Sequence, residues 1–212
     1  MSPALQQSLS RSLPITPETD FKVPFLPEHY KAALKAARTV YPTAVLAGGA
    51  LRDLCWGFQV KDLDIFVDAA DGPLEARLPD LHKVLGHHFS ICGLDYIPGT
   101  ASEAGASAVF VDHPLGPLPI NVIEIQRAPG VNNFEPFVRR RMDFAACQIS
   151  YDDNLVRMTG EAHADLRDKV MRLMRKETSE GVERSLRRAE RFQQRMPGIR
   201  FELGAEEASP SA

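Results

Sequence analysis

Apolar positions along this chain change period several times, and each change marks an element. Tyr30, Leu34, Ala37 and Tyr41 recur at helical spacing after Pro27, a residue suited to a first helical turn, and Pro42 ends the pattern. Residues 44–47 read as a short buried strand that runs into Gly48 and Gly49, and residues 50–56 as a helix. In the next run polar and apolar residues alternate. Asp62 and Asp64 therefore share one face of a strand, while Leu63, Ile65 and Val67 take the other. Leu74, Leu78, Leu81 and Leu85 return to helical spacing; Gly86 stops that helix, and Pro79 is expected to kink or divide it.

Residues 88–92 and 108–111 read as strands, and the small, polar stretch 98–107 between them as a mobile loop. Residues 120–125, INVIEI, form a further strand in which Glu124 interrupts a β-branched run. A helix is expected over residues 133–141, ending in Arg139, Arg140 and Arg141. Residues 147–151 and 155–158 flank Asp152, Asp153 and Asn154 as a hairpin does its turn. The last helix spans residues 178–196, with Val182, Leu186, Ala189 and Met196 as its apolar stripe and Arg184, Arg187, Arg188, Arg191 and Arg195 on another face. The sum is an α+β chain: a flexible arm (residues 1–24), a body with a small mixed sheet and flanking helices (25–160), a helical segment (161–200) and an acidic, disordered tail (201–212).

Composition narrows this picture only at a few points. A chain of 212 residues, 44% hydrophobic and 25% charged, fits one globular domain with an appendage. No run is long and apolar enough for a bilayer span, and the first residues lack the pattern of a secretory signal. Cys55, Cys92 and Cys147 are widely spaced, as expected of reduced thiols in a cytoplasmic protein, and lack zinc-ligand spacing. His82, His87 and His88 read as structural. Charge is uneven: residues 167–200 hold 11 basic and 5 acidic side chains, a net +6 within a chain of net −3. That segment is either a local phosphate-binding surface or a solvated helix face.

The candidate chemistry lies between residues 45 and 67. Two carboxylates side by side repel unless a cation sits between them, and hard ions such as Mg²⁺ take carboxylate and phosphate oxygens. A glycine pair lets a ligand approach the backbone, and the free N–H groups of the helix that follows favour an anion. Together they point to chemistry on a nucleoside triphosphate.

Gly48, Gly49, Arg52, Asp53, Gly57, Asp62 and Asp64, in that order, resemble the first motif of the polymerase-beta-like nucleotidyltransferases, in the branch of CCA-adding enzymes and bacterial poly(A) polymerases. The resemblance implies a nucleotidyltransferase head with a neck-like helical segment behind it. It implies Asp62, Asp64 and a third acid as catalytic metal ligands for Mg²⁺ or Mn²⁺. Glu124 in its apolar–acid–apolar setting is the expected third acid, with Asp112 as the alternative. Gly48, Gly49, Arg52 and Asp53 would hold nucleotide. Arg141, Asp143 and Phe144 match the family's second motif, in which Met142, Ala145 and Cys147 replace Arg, Thr and Asn. Arg184 and the Arg187 segment resemble the base-reading helix, where Gly181 stands in place of an aspartate.

The implied activity is transfer of a nucleoside monophosphate from an NTP to a hydroxyl, with release of pyrophosphate and an RNA 3′ end as the leading acceptor. Small-molecule or protein hydroxyls, and a module that binds nucleotide or RNA without turnover, are the alternatives. The further helical domains with which CCA-adding enzymes grip tRNA have no counterpart after residue 201, which counts against complete CCA synthesis by this chain alone.

Overall fold

The runs on either side of the glycine pair lie next to each other at the centre of one sheet. In the computed structural model, which describes residues 19–21, 26–86, 88–93, 104–127, 130–174 and 179–203, these are β2 (Val45–Ala47) and β3 (Leu63–Asp68). The remaining strands of the sheet are β1 (Thr19–Phe21), β4 (His88–Gly93), β5 (Ala104–Phe110), β6 (Ile120–Ile125), β7 (Ile149–Tyr151) and β8 (Val156–Met158), in the order β1-β8-β7-β2-β3-β6-β5-β4. β3 and β6 pair in parallel, and the other described neighbours in this sheet pair antiparallel. The sheet is mixed, as the sequence predicts.

Helices α1 (Glu28–Arg38), α2 (Gly49–Trp56) and α3 (Leu74–Leu85) serve one face. There Leu46, Leu63, Ile65, Val67, Ile120 and Val122 pack with Leu34 and Ala37 of α1 and Leu74, Leu81 and Leu85 of α3 in the main core. The opposite face carries Val45, Ala47, Ile123 and Ile125, covered by Phe134 and Val138 of α4 (Phe134–Arg140). A third apolar cluster lies beyond the sheet. Phe144, Cys147, Met171 and Leu173 meet Ala189 of α6 (Ser179–Arg195), with half-buried Phe192 packed against them. Helix α5 (Gly160–Asp168) leads into β9 (Val170–Arg172), which pairs in parallel with β10 (Arg200–Glu202).

Four expectations change. Helix α3 continues through Pro79 without division. Residues 104–107 belong to β5, because they pair with β6, and only the earlier part of the expected loop lies outside the described residues. Residues 19–21 of the expected arm pair with β8. Of the expected α6 stripe, Val182 and Ala189 pack as predicted and Met196 is buried just past the helix end, joined by buried Ser185 and half-buried Phe192, while Leu186 stays half-exposed outside the cluster. The rest of the arm, His87 and the tail from residue 204 onward lie outside the described residues. No helix among the described residues is long and apolar enough to cross a membrane.

Candidate active site

Antiparallel pairing brings the acidic pair beside the glycine turn. Val45 stands opposite Phe66 and Leu46 opposite Ile65, so a chain leaving β2 at Gly48 arrives next to the start of β3. Gly48 has φ 87° and ψ −133°, a conformation that L side chains rarely adopt. A Cβ there would also meet Met142 Sδ at 3.4 Å. The Gly48 N–H donates to the Ile149 carbonyl at 3.0 Å, which ties the turn to β7. Helix α2 then starts at Gly49 with no side-chain cap among the described residues, and helix geometry leaves its first N–H groups without intrahelical partners, a setting that favours an anion.

Asp62 is exposed just before β3, and Asp64 is half-buried within it. The Asp64 carboxyl is pushed up to about 6, first by burial and then by the charge of Asp62. Three groups oppose that shift. Asn121 Nδ2 donates to Asp64 Oδ1 at 2.8 Å, and the charges of Arg188 and Arg52 act through space. Two acids held together, one of them resisting ionisation, with hard oxygen donors and exposure on one side, suit a divalent cation of the Mg²⁺ type.

Glu124 does not join the pair. It stands opposite Val67 in the parallel register, on the face that packs against α1 and α3, whereas Asp64 stands opposite Asn121. Positions 121 and 124 are three apart, so alternation sends their side chains to opposite faces. The buried Glu124 carboxylate accepts the Leu74 N–H at 2.5 Å, at the N-terminus of α3, where the helix dipole favours a negative charge. Asp112 follows the end of β5 at φ 53°, with β6 between that strand and β3. Among the described residues no three His, Cys, Asp or Glu side chains gather as a metal site.

The arginines form a lattice over the third apolar cluster. Arg52, 2% exposed, donates Nε and Nη2 to Asp53 Oδ1 at 2.8 and 2.6 Å and Nη1 to Cys147 Sγ at 3.1 Å. Burial pushes the Cys147 thiol up, so the sulfur meets Arg52 as a neutral acceptor. The Arg52 guanidinium lies 4.4 Å from the centre of the Phe192 ring. The second Asp53 oxygen receives Arg195 Nη2 at 3.4 Å. Asp143 Oδ2 accepts Arg188 Nη1 at 2.8 Å and Ser185 Oγ at 3.0 Å. Asp53 and Asp143 thus orient arginines and dock α6. Arg141 lies over Phe137 at 5.2 Å, Arg184 is half-buried one turn before Arg188, and exposed Arg187 pairs with Glu183 at 3.6 Å.

Asn121 and Ser185 are contributors that the sequence does not single out, and Phe192, which follows Arg191 in the arginine-rich segment, gains its role only from packing against Arg52. Spacing of 4, 3 and 4 through Ser185, Ala189, Phe192 and Met196 carried a signal for the helix. Asn121 had no such signal, since only the strand register places it beside Asp64.

No family model and no curated protein sequence matches the chain. Solved structures do match. The Thermotoga maritima CCA-adding enzyme complexed with tRNA is 20% identical with a TM-score of 0.55, over 82% of this chain and 38% of that one. The Bacillus stearothermophilus CCA-adding enzyme in complex with CTP is 19% identical with a TM-score of 0.53, over 85% and 41%. A tRNA-processing enzyme in an apo form is 21% identical with a TM-score of 0.54, over 87% and 46%. The chain therefore has the fold of part of these enzymes and spans about two-fifths of their length.

Proposed function

We propose that this protein is a divalent-metal-dependent nucleotidyltransferase that moves a nucleoside monophosphate from an NTP to the hydroxyl of an RNA 3′ end. The observation that carries this reading is the Asp62/Asp64 pair beside the Gly48–Gly49 turn, within the fields of Arg52 and Arg188. Asp62 and Asp64 would hold Mg²⁺ or Mn²⁺. The bound ion would supply charge neutralisation at the triphosphate and acidify the acceptor hydroxyl. Glu124 has no part in this site.

The chain's own residues then act mainly by placement. The glycine turn and the free N–H groups of α2 take phosphate oxygens. Arg188 and Arg184, one helical turn apart on α6, offer cations to the triphosphate and base, and Arg141 adds a third from the end of α4. Arg52 and Asp53 keep α6 seated. The acceptor oxygen bonds to the α-phosphorus, the bond from that phosphorus to the β-bridging oxygen breaks, pyrophosphate leaves and the hydroxyl proton passes to water. The basic α6, and the tRNA bound to the Thermotoga maritima enzyme of the same fold, support RNA as acceptor. Residues 25–160 would then be the catalytic head and 161–200 the beginning of a neck.

The test is incubation of the full chain with labelled NTPs, Mg²⁺ and a mixed RNA pool. Label should appear at RNA 3′ ends and vanish in Asp62→Ala/Asp64→Ala. Failure to label any RNA, or equal labelling by the double variant, overturns the reading.

A further inference from the structure

We infer that Asn121 is a positioning residue for the proposed cation site: it fixes the Asp64 carboxylate and so decides which oxygen is offered to the metal. The inference rests on the proposed function and extends it to a side chain with no acidity of its own. Asn121 and Asp64 are register partners across the parallel β3–β6 pair, so both side chains stand on the same face. The Asn121 amide donates to Asp64 Oδ1 at 2.8 Å. A carboxylate can only accept, so this contact fixes the amide orientation: the NH₂ group faces Asp64.

The surroundings leave Asn121 little else to do. Its register partner on the other side is Val109 of β5, which offers no side-chain polar group. Two residues along the same face of β6 is Ile123, within the apolar cluster under α4. A polar amide with Val109 and Ile123 as its strand neighbours, its donor spent on the Asp64 carboxylate, has the character of a partner that holds a metal ligand. With Oδ1 engaged by the amide, Oδ2 is the Asp64 oxygen that this contact leaves to a cation. Asn121 also does this without charge. An acid at position 121 would add a third negative group beside two that already repel, whereas the amide restrains Asp64 and partly offsets the burial of its charge.

Outer partners of metal ligands typically alter metal affinity or activity by about 10–100-fold when removed. Mn²⁺ binding should therefore be titrated by electron paramagnetic resonance on the full chain with α,β-methylene-ATP, for wild type, Asp64→Ala, Asn121→Ala, Asn121→Leu and Asn121→Ser. Asn121→Ala and Asn121→Leu both remove the donor and should weaken Mn²⁺ by about 10–100-fold. Asn121→Ser keeps a shorter donor and should recover part of the loss. Urea unfolding identifies any variant that fails to fold, and Ala and Leu substitute for each other in that event. Unchanged Mn²⁺ affinity in a folded, donor-less variant overturns the inference while the wild-type site stands. Absence of saturable Mn²⁺ binding in wild type, or wild-type affinity in Asp64→Ala, overturns the proposed function instead.

Discussion

Replacing Asp64 with asparagine should make the ligand-free protein more stable while weakening the proposed cation site. Burial, and after it the charge of Asp62, push the Asp64 carboxyl up to about 6 from an ordinary 3.8. One pKa unit corresponds to about 1.4 kcal/mol, so holding the group ionised costs the folded state up to about 3 kcal/mol. Partial exposure reduces that to about 1–3 kcal/mol. The folded state binds this proton more tightly than the unfolded state. Unfolding free energy therefore falls as pH rises from about 4 to about 6 and is flat above that. Asp64→Asn lacks the slope. Its amide can still accept from Asn121, and its own N–H can donate to Asp62. The expected result is a gain of about 1–3 kcal/mol at pH 7.5, roughly 2–10 °C in Tm for a chain of this size. The gain should shrink to about one third at pH 4.5 and vanish near pH 3. Urea denaturation across pH 3–8 measures this directly. Added Mg²⁺ should raise the wild-type midpoint and leave that of Asp64→Asn unchanged. A variant no more stable than wild type at pH 7.5, with the same pH slope, would refute the argument from burial and charge repulsion.

Gly48→Ala should lose about 1–3 kcal/mol in urea denaturation, because its φ of 87° is strained for alanine, while the added Cβ makes only ordinary contact with Met142. Arg52→Met leaves the Asp53 carboxylate buried with the long Arg195 contact as its one remaining side-chain partner among the described residues, so a loss of about 3–5 kcal/mol is expected. Arg195→Met removes a partly exposed pair at 3.4 Å and should cost no more than about 1 kcal/mol, measured the same way. Glu124→Gln keeps an acceptor for the Leu74 N–H, so labelling of RNA and Mn²⁺ affinity should match wild type; loss of Mn²⁺ binding would return Glu124 to the metal site.

Much of this molecule is legible in its sequence. The strand–turn–helix–strand unit around Gly48, Asp62 and Asp64 follows from alternation, glycine placement and helical spacing, all local signals. Glu124 shows where local signals stop. The pattern of INVIEI divides into Asn121, Ile123 and Ile125 on one face and Ile120, Val122 and Glu124 on the other, and the sequence offers no way to choose between them. Acidity favours Glu124, and the register with β3 reverses that preference: the isolated carboxylate caps α3, and an uncharged amide stands beside Asp64. A buried acid next to a helix N-terminus and a buried acid next to a metal satisfy the same electrostatic demand, so residue type alone does not separate them.

The same reasoning explains why several motif residues stand away from solvent. Arg52, Asp53 and Asp143 read in sequence as groups aimed at a nucleotide, yet their hydrogen bonds are made to one another, to Cys147 or to α6. Their joint effect is to hold a helix whose Arg188 lies close enough to Asp64 to favour its ionised form. Strip these contacts away and α6 retains apolar packing through Val182, Ala189 and Phe192, which sets its azimuth less sharply than charged pairing does. A rotation of one residue about the helix axis would turn Arg188 away and bring the Arg187–Glu183 pair toward the acids. The order of residues in the first motif is thus a constraint on helix orientation as much as on ligand contact. Nucleotide affinity should accordingly fall in Asp143→Asn, through the lost grip on Arg188, even though Asp143 itself is placed to meet protein rather than ligand.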